Sequence, residues 1–218
     1  MKIFETIEAL EDSLCQQIKS DLETAISRNG KASILVSGGS TPKGLFLKLN
    51  QLEIDWKNVI VGLVDERFVP NTSEFSNEKL VKENLLIQHA SVAQFVSMVQ
   101  NSENEIENLL LVQEAYSVFN EATIVLLGMG DDGHTASIFP NDEESAEAII
   151  SAKNIVSTKA PSEPKHRITC SANVLKSAKK RYLLFTGNKK QEILKEAESK
   201  NYPIRHFLNV LDGIYCTN

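Results

Sequence analysis

The chain has 218 residues, 42% of them apolar, and a formal net charge of −6. This length and composition predict a single domain over residues 1–218 with one buried core. The acidic balance argues against nucleic acid or an anionic membrane surface as a partner. Three widely spaced cysteines, no secretory signal pattern and no membrane-spanning apolar run predict a cytoplasmic protein with reduced thiols.

Helices and strands are predicted to alternate along most of the chain. Apolar residues at three- and four-residue steps predict a helix from Ile7 to Ile26 that ends near Gly30. Thr41 and Pro42 predict the start of a second helix, with the threonine as N-cap and the proline in the first helical position. Further helices are expected at about 77–87, 104–119, 174–178 and 189–199. Strands are expected at 32–36, 59–64, 122–127, 154–158, 167–170, 182–185 and around 214–216.

This alternation predicts an α/β fold whose sheet is mainly parallel and Rossmann-like, with helices on both faces. In such folds ligands bind at the carboxyl ends of the strands. The segments that directly follow predicted strands are therefore the places to look for a functional site.

The segment GMGDDGHTASIFP at 128–140 follows the strand at 122–127. A glycine-rich turn with two carboxylates and a histidine at a strand end makes His134 the foremost catalytic candidate. Its three glycines also match the dinucleotide fingerprint. Two adjacent aspartates would repel a pyrophosphate, and no acidic residue ends the next predicted strand, so dinucleotide binding is the weaker interpretation.

The segment SGGSTP at 37–42 joins a strand to a helix. Glycines there allow successive N–H groups to converge on an anion, which makes Gly38, Gly39, Ser40 and Thr41 candidate phosphate-binding residues. The segment lacks the ending of a nucleoside triphosphate loop and the last glycine of a nucleophile elbow. An ordinary strand-to-helix turn fits it equally well.

Three charged residues open the segment DERFVP at 65–70, directly after the strand at 59–64. Charges at the end of a buried strand need partners, since burying them alone is costly. Asp65 and Arg67 alternate and are expected on the same side, in a site. For Glu66 a surface ion pair is the favoured interpretation.

Arg167 and Lys190 place cations near a strand or at a helix start. A lysine at a helix N-terminus opposes the helix dipole, which favours a bound anion near Lys190. The other histidines, His89, His166 and His206, lack metal-ligand spacing, so no metal is expected.

Five stretches stand in the order and spacing of one enzyme family: SGGSTP at 37–42, DERFVP at 65–70, GMGDDGHTASIFP at 128–140, RIT at 167–169 and TGNKK at 186–190. Together, over roughly residues 30–200, they resemble the lactonases of the glucosamine-6-phosphate isomerase/6-phosphogluconolactonase family. Phe68 stands where those lactonases often have tryptophan.

The resemblance implies a fold similar to those of glucosamine-6-phosphate deaminase and ribose-5-phosphate isomerase. It also implies a carboxylic ester hydrolase that acts on 6-phospho-D-glucono-1,5-lactone in the oxidative pentose phosphate pathway. The partner would be a small phosphosugar lactone, no cofactor is implied, and a monomer or small homo-oligomer is expected.

For that reaction His134 is the candidate general base, because imidazole changes protonation near neutral pH. Asp132 would orient the imidazole and stabilise its charged form. Asp65 would hold sugar hydroxyls or orient the water.

The oxyanion donor stays open between backbone N–H groups of the Gly38-Gly39 or Gly130 turns and the side chain of Arg67. The phosphate would lie on residues 39–41 with Lys190 and Arg167 as countercharges. Arg67 fits either role.

Two other functions remain open. Glucosamine-6-phosphate deaminase shares the GxDGH turn but carries a glutamate five residues after the histidine, where this chain has Phe139. The second open function is that of a sensor that binds a phosphosugar without catalysis. Such regulators usually carry a DNA-binding or partner domain, for which 218 residues leave no spare length.

Overall fold

The computed structural model describes all 218 residues, which form seven α-helices and ten strands. The helices are α1 (Ile7–Asn29), α2 (Lys43–Leu49), α3 (Asn77–Asn84), α4 (Glu105–Ala115), α5 (Glu143–Ile150), α6 (Ala172–Ser177) and α7 (Asn188–Lys195). The strands are β1 (Lys2–Phe4), β2 (Ala32–Val36), β3 (Val59–Leu63), β4 (Asp65–Arg67), β5 (Gln94–Phe95), β6 (Ile124–Leu127), β7 (Ile155–Lys159), β8 (His166–Cys170), β9 (Lys180–Phe185) and β10 (Gly213–Thr217).

Seven strands form one parallel sheet in the order β1-β10-β9-β6-β2-β3-β5. Nearly every residue of β2, β3 and β6 is buried. Because neighbouring residues of a strand point to opposite faces, this burial requires helices or loops on both faces of the sheet. The predicted α/β fold with a mainly parallel sheet is confirmed.

A second, antiparallel sheet of β4, β8 and β7 was not predicted. The strands predicted at 154–158 and 167–170 belong to it and not to the parallel sheet. The chain passes from one sheet to the other at Val64, whose N–H donates to the carbonyl of Val36 while its carbonyl accepts from the N–H of Cys170. Residues 65–67 therefore leave the parallel sheet at the edge where β2 and β6 also end.

The predicted N-cap of the second helix is wrong. Pro42, and not Thr41, occupies the N-cap of α2, and no side chain caps this helix. The turn that begins at Ser37 extends to Pro42, so Thr41 stays in the turn instead of starting a helix.

Several other boundaries also differ from the sequence pattern. The helices predicted at 77–87, 104–119 and 189–199 end earlier, at Asn84, Ala115 and Lys195. The strand expected around 214–216 is confirmed as β10. The short strands β1 and β5 have no fully buried residue, and so they left no hydrophobic signal in the sequence.

Candidate active site

One cavity of about 660 Å³ opens at the carboxyl edge of the parallel sheet. Its wall comes from the turns after β2 and β6, from β4 and β8, and from the start of α7. Every site residue predicted from the sequence lies on this wall: Gly38, Gly39, Ser40, Thr41, Asp65, Arg67, Asp132, His134, Arg167 and Lys190. Their convergence follows from the parallel topology, which brings the ends of separate strands to one edge.

The turn after β6 holds His134 against Asp132. The Nδ1 atom of His134 lies 2.5 Å from the Asp132 Oδ1 atom, which also accepts the backbone N–H of His134 at 3.1 Å. The two side chains are 34% and 39% exposed, so the imidazole is accessible from the cavity and not sealed in packing. Because the carboxylate engages Nδ1, Nε2 is the nitrogen left for a water molecule or substrate.

Two hydrogen bonds to backbone carbonyls close this turn tightly. The N–H of Gly130 donates to the carbonyl of His134 at 2.9 Å, and the hydroxyl of Thr135 donates to the carbonyl of Gly128 at 2.8 Å. A Cβ atom on Gly130 would lie 2.1 Å from the His134 Cε1 atom, so only glycine leaves room for the ring. Because the N–H of Gly130 is already bonded to the carbonyl of His134, it is no longer available as one of the predicted oxyanion donors.

The charge of Asp132 is stabilised by its neighbour. Burial acts to raise the pKa of Asp132, but hydrogen bonds and electrostatic attraction from His134 outweigh it, and the pKa is lowered. The carboxylate is therefore ionised at neutral pH. An ionised carboxylate at Nδ1 fixes the tautomer with a free Nε2 and stabilises the imidazolium form.

Replacing Asp132 by asparagine is expected to shift the acidic limb of the kcat/KM–pH profile of an ester substrate to lower pH. The protonated imidazole loses its anionic partner in this variant, so it gives up its proton more readily. The profile is measured by following acid release over the neutral range.

Asp131→Asn is the matched control, because the Asp131 carboxylate contacts Lys189 at 2.8 Å and Lys190 at 3.9 Å, whereas the imidazole of His134 is paired with Asp132. An acidic limb that stays in place for Asp132→Asn, or that moves equally in both variants, argues against the pairing as a determinant of the histidine's protonation.

Asp65 is 8% exposed and borders the cavity. The hydroxyl of Ser137 donates to Asp65 Oδ2 at 2.5 Å, and Ser137 is itself fixed through its backbone by hydrogen bonds to the hydroxyls of Thr158 and Thr169. The sequence analysis missed Ser137, although it stands three residues after His134 in the same segment. It sets the orientation of the Asp65 carboxylate.

Arg67 and Arg167 stand opposite each other in the register of β4 and β8. Each guanidinium donates to a backbone carbonyl, Arg67 to Phe75 at 2.5 Å and Arg167 to Pro164 at 2.8 Å. The Nε atom of Arg67 is buried without a partner. Burial and the charge of Arg67 lower the pKa of Arg167. Two neighbouring cations that bond carbonyls instead of carboxylates favour an anion between them.

The turn of residues 37–42 presents free donors. No N–H group from Gly38 to Thr41 donates a hydrogen bond within the protein. Lys190 lies on the same cavity wall, at the start of α7, and its nearest carboxylate is that of Asp131, 3.9 Å away. The free N–H groups and the lysine are suited to a phosphate.

The interpretation of Glu66 as a surface ion pair is wrong. Glu66 is 1% exposed, and its carboxylate accepts hydrogen bonds from the N–H groups of Arg67, Asn77 and Glu78 and from the hydroxyl of Ser76. Burial raises the pKa of Glu66 to about 7, against the effect of these hydrogen bonds. Asp65 and Arg67 therefore border the cavity, whereas Glu66 faces away from it, toward α3.

No group of three or more His, Cys, Asp or Glu side chains is placed to hold a metal ion. No helix is both long and apolar enough to cross a lipid bilayer.

The parallel sheet and the cavity at its carboxyl edge define an α/β protein with a candidate ligand site at the strand ends. The sequence pattern of the family described as "Glucosamine-6-phosphate isomerases/6-phosphogluconolactonase" matches residues 5–211, and the chain belongs to this family. Among its relatives, the 6-phosphogluconolactonase of Rhizobium meliloti is 38% identical over 95% of this chain and 93% of its own length. The 6-phosphogluconolactonase of Neisseria meningitidis is 34% identical over 94% and 91%. The crystal structure of a 6-phosphogluconolactonase from Shewanella baltica superposes with a TM-score of 0.92 at 36% identity, covering 99% and 95% of the two chains.

Proposed function

We propose that this protein is a carboxylic ester hydrolase that converts 6-phospho-D-glucono-1,5-lactone to 6-phosphogluconate in the oxidative pentose phosphate pathway. The observation that carries the proposal is the His134–Asp132 pair, which borders a cavity. The same cavity is lined by two guanidiniums that bond carbonyls and no carboxylate, and by a turn with free N–H groups. Relatives named 6-phosphogluconolactonase that match nearly the whole chain support it.

Hydrolysis needs a base, because neutral water is a weak nucleophile. Nε2 of His134 takes a proton from a water molecule as its oxygen attacks the lactone carbonyl carbon. The tetrahedral intermediate then collapses, the ring C–O bond breaks, and His134 returns the proton to the departing ring oxygen. Asp132 stabilises the imidazolium between the two transfers. Asp65, held by Ser137, binds sugar hydroxyls or orients the water.

The phosphate lies on the turn of residues 39–41, with Lys190 and Arg167 as countercharges. The free N–H groups of this turn and the absence of any carboxylate bonded to Arg167 support this placement. Arg67 adds positive charge to the same wall and fits either the phosphate or the oxyanion.

Phe139 argues against amino-sugar deamination as the alternative. It stands where the deaminase carries its glutamate, is 8% exposed, and packs its ring 4.8 Å from that of His134. An apolar ring there cannot move protons on an amino sugar. A lactone hydrolase needs one activated water and does not require this carboxylate.

The experiment offers the purified protein the phosphogluconolactone and glucosamine 6-phosphate in separate reactions. Acid release from the first, above the spontaneous rate, with no ammonia from the second is the expected result. Ammonia without acid would establish the deaminase, and binding of both sugars with neither product would establish a sensor.

We further propose that residues 1–218 act as one domain in the cytoplasm, as a monomer or small homo-oligomer, without nucleic acid or membrane as a partner. One cluster of 55 buried residues includes side chains of both sheets and supports the single domain. The three cysteines are buried free thiols, as is usual in a reducing compartment.

A further inference from the structure

Asn77, the first residue of α3, is a polar residue for which the proposed mechanism has no role. It is 2% exposed and borders the cavity. Its Nδ2 atom donates to the backbone carbonyl of Asp65 at 2.9 Å. Asn77 therefore fixes the start of β4, the strand that presents Asp65 to the cavity.

The other side of the Asn77 amide packs on the turn of residues 37–42. A Cβ atom on Gly38 would lie 1.9 Å from Asn77 Oδ1 and 2.2 Å from its Cγ. The amide thus fills the space that a side chain at position 38 would take. One side chain spans the two segments that, on the proposed function, act at opposite ends of the substrate: Asp65 at the lactone and the Gly38 turn at the phosphate.

Glu66 fixes Asn77 in turn. Its Oε1 accepts the N–H groups of Arg67 at 2.7 Å and Asn77 at 2.8 Å, and its Oε2 accepts the N–H of Glu78 at 2.7 Å and the hydroxyl of Ser76 at 3.0 Å. The carboxylate therefore joins β4 to the first turn of α3.

A buried carboxylate without a cation adds little net stability, since its desolvation offsets its bonds. What the four converging donors do specify is geometry. Both oxygens accept, a condition that a glutamine amide, with its single acceptor oxygen, does not meet.

We propose that Asn77 and Glu66 are positioning residues that set the separation between the Gly38 turn and Asp65, and so align the lactone carbonyl with the catalytic groups once the phosphate is bound. This inference rests on the proposed lactonase function. Neither residue takes part in proton transfer.

The test measures steady-state lactone hydrolysis and inhibition by inorganic phosphate for Asn77→Ala. We expect kcat to fall about tenfold or more, because a displacement of about 1 Å can cost up to 100-fold in rate. The inhibition constant of inorganic phosphate should stay within about twofold, since Asn77 contacts the phosphate turn by packing alone and makes no hydrogen bond to it. Glu66→Gln should give the same pattern with a larger loss of stability, because its NH₂ group must face an N–H donor.

A double variant tests the contact directly. Gly38→Ala alone should be severely impaired, because its methyl group overlaps the Asn77 amide. Adding Asn77→Ala removes the overlapping atoms and should restore activity above that of Gly38→Ala. Two independent, additive losses would argue against the contact.

Asn104→Ala is the matched control for stability. Asn104 caps α4 through its side chain, which accepts the N–H of Glu107 at 3.1 Å and lies outside the cavity. It should lower the melting temperature by about 2–4 °C without changing kcat.

The inference alone is overturned if the wild type is active but Asn77→Ala has an unchanged kcat. The same holds if the kcat of Asn77→Ala falls only in proportion to its folded fraction. A wild type that does not hydrolyse the lactone overturns the proposed function, and the inference with it.

Discussion

Replacing His134 by asparagine is expected to lower kcat for lactone hydrolysis by about 100- to 10,000-fold, the usual range for loss of a general base. Asparagine keeps a donor near the position of Nδ1, so the bond to Asp132 can persist. It has no group that takes a proton at the position of Nε2. The loss therefore falls on the chemical step, and the rate is measured as acid release above the spontaneous rate.

Binding of the product 6-phosphogluconate separates chemistry from binding. Its dissociation constant, measured by titration calorimetry, should change by less than about threefold, because the proposed phosphate site lies on other segments. His89→Gln is the matched control, since His89 is exposed and lies outside the cavity. Loss of product affinity equal to the loss of rate would assign His134 to binding and remove it as the base.

The parallel sheet was predictable because its central strands are continuous apolar runs. β2, β3 and β6 are buried on both faces, and such strands leave an unbroken hydrophobic signal. The smaller sheet was not predictable in the same way. Its strand β4 is the charged tripeptide of residues 65–67, which pairs only because Val64 turns the chain toward β8. That pairing is tertiary, and no local pattern encodes it.

The convergence of the candidate site residues on one cavity was predictable because chemistry-bearing side chains follow strands whose ends must meet. The groups that hold them were not, because Ser137 and Asn77 act through contacts made across the fold. Ser137 lies 72 residues from Asp65 in the sequence and Asn77 lies 12 residues from it, yet both donate hydrogen bonds to Asp65. Glu66 was misassigned for the same reason, since its partners lie mainly at the start of α3 and are not visible in the charge pattern.

Gly130→Ala is expected to lower kcat by about 100-fold or more while the protein stays folded. The added methyl group would lie 2.1 Å from His134 Cε1, 2.2 Å from Nδ1 and 2.9 Å from Asp132 Oδ1, so the histidine and the aspartate cannot keep their present positions. The imidazole is partly exposed and can swing into the cavity, which limits the cost to stability to about 1–3 kcal/mol. Misplacement of the base then lowers the rate.

Gly128→Ala, in the same turn, is the control that isolates this overlap. A Cβ atom there meets nothing nearer than the Ser37 side chain at 3.9 Å, which is an ordinary contact, and its backbone does not require glycine. Both variants add one methyl group within three residues of the strand end, so any general effect on the turn is shared. Near-wild-type kcat for Gly128→Ala beside a large loss for Gly130→Ala would locate the effect at the His134–Asp132 pair. Equal activity in the two variants would mean that the reaction does not depend on where the imidazole is held.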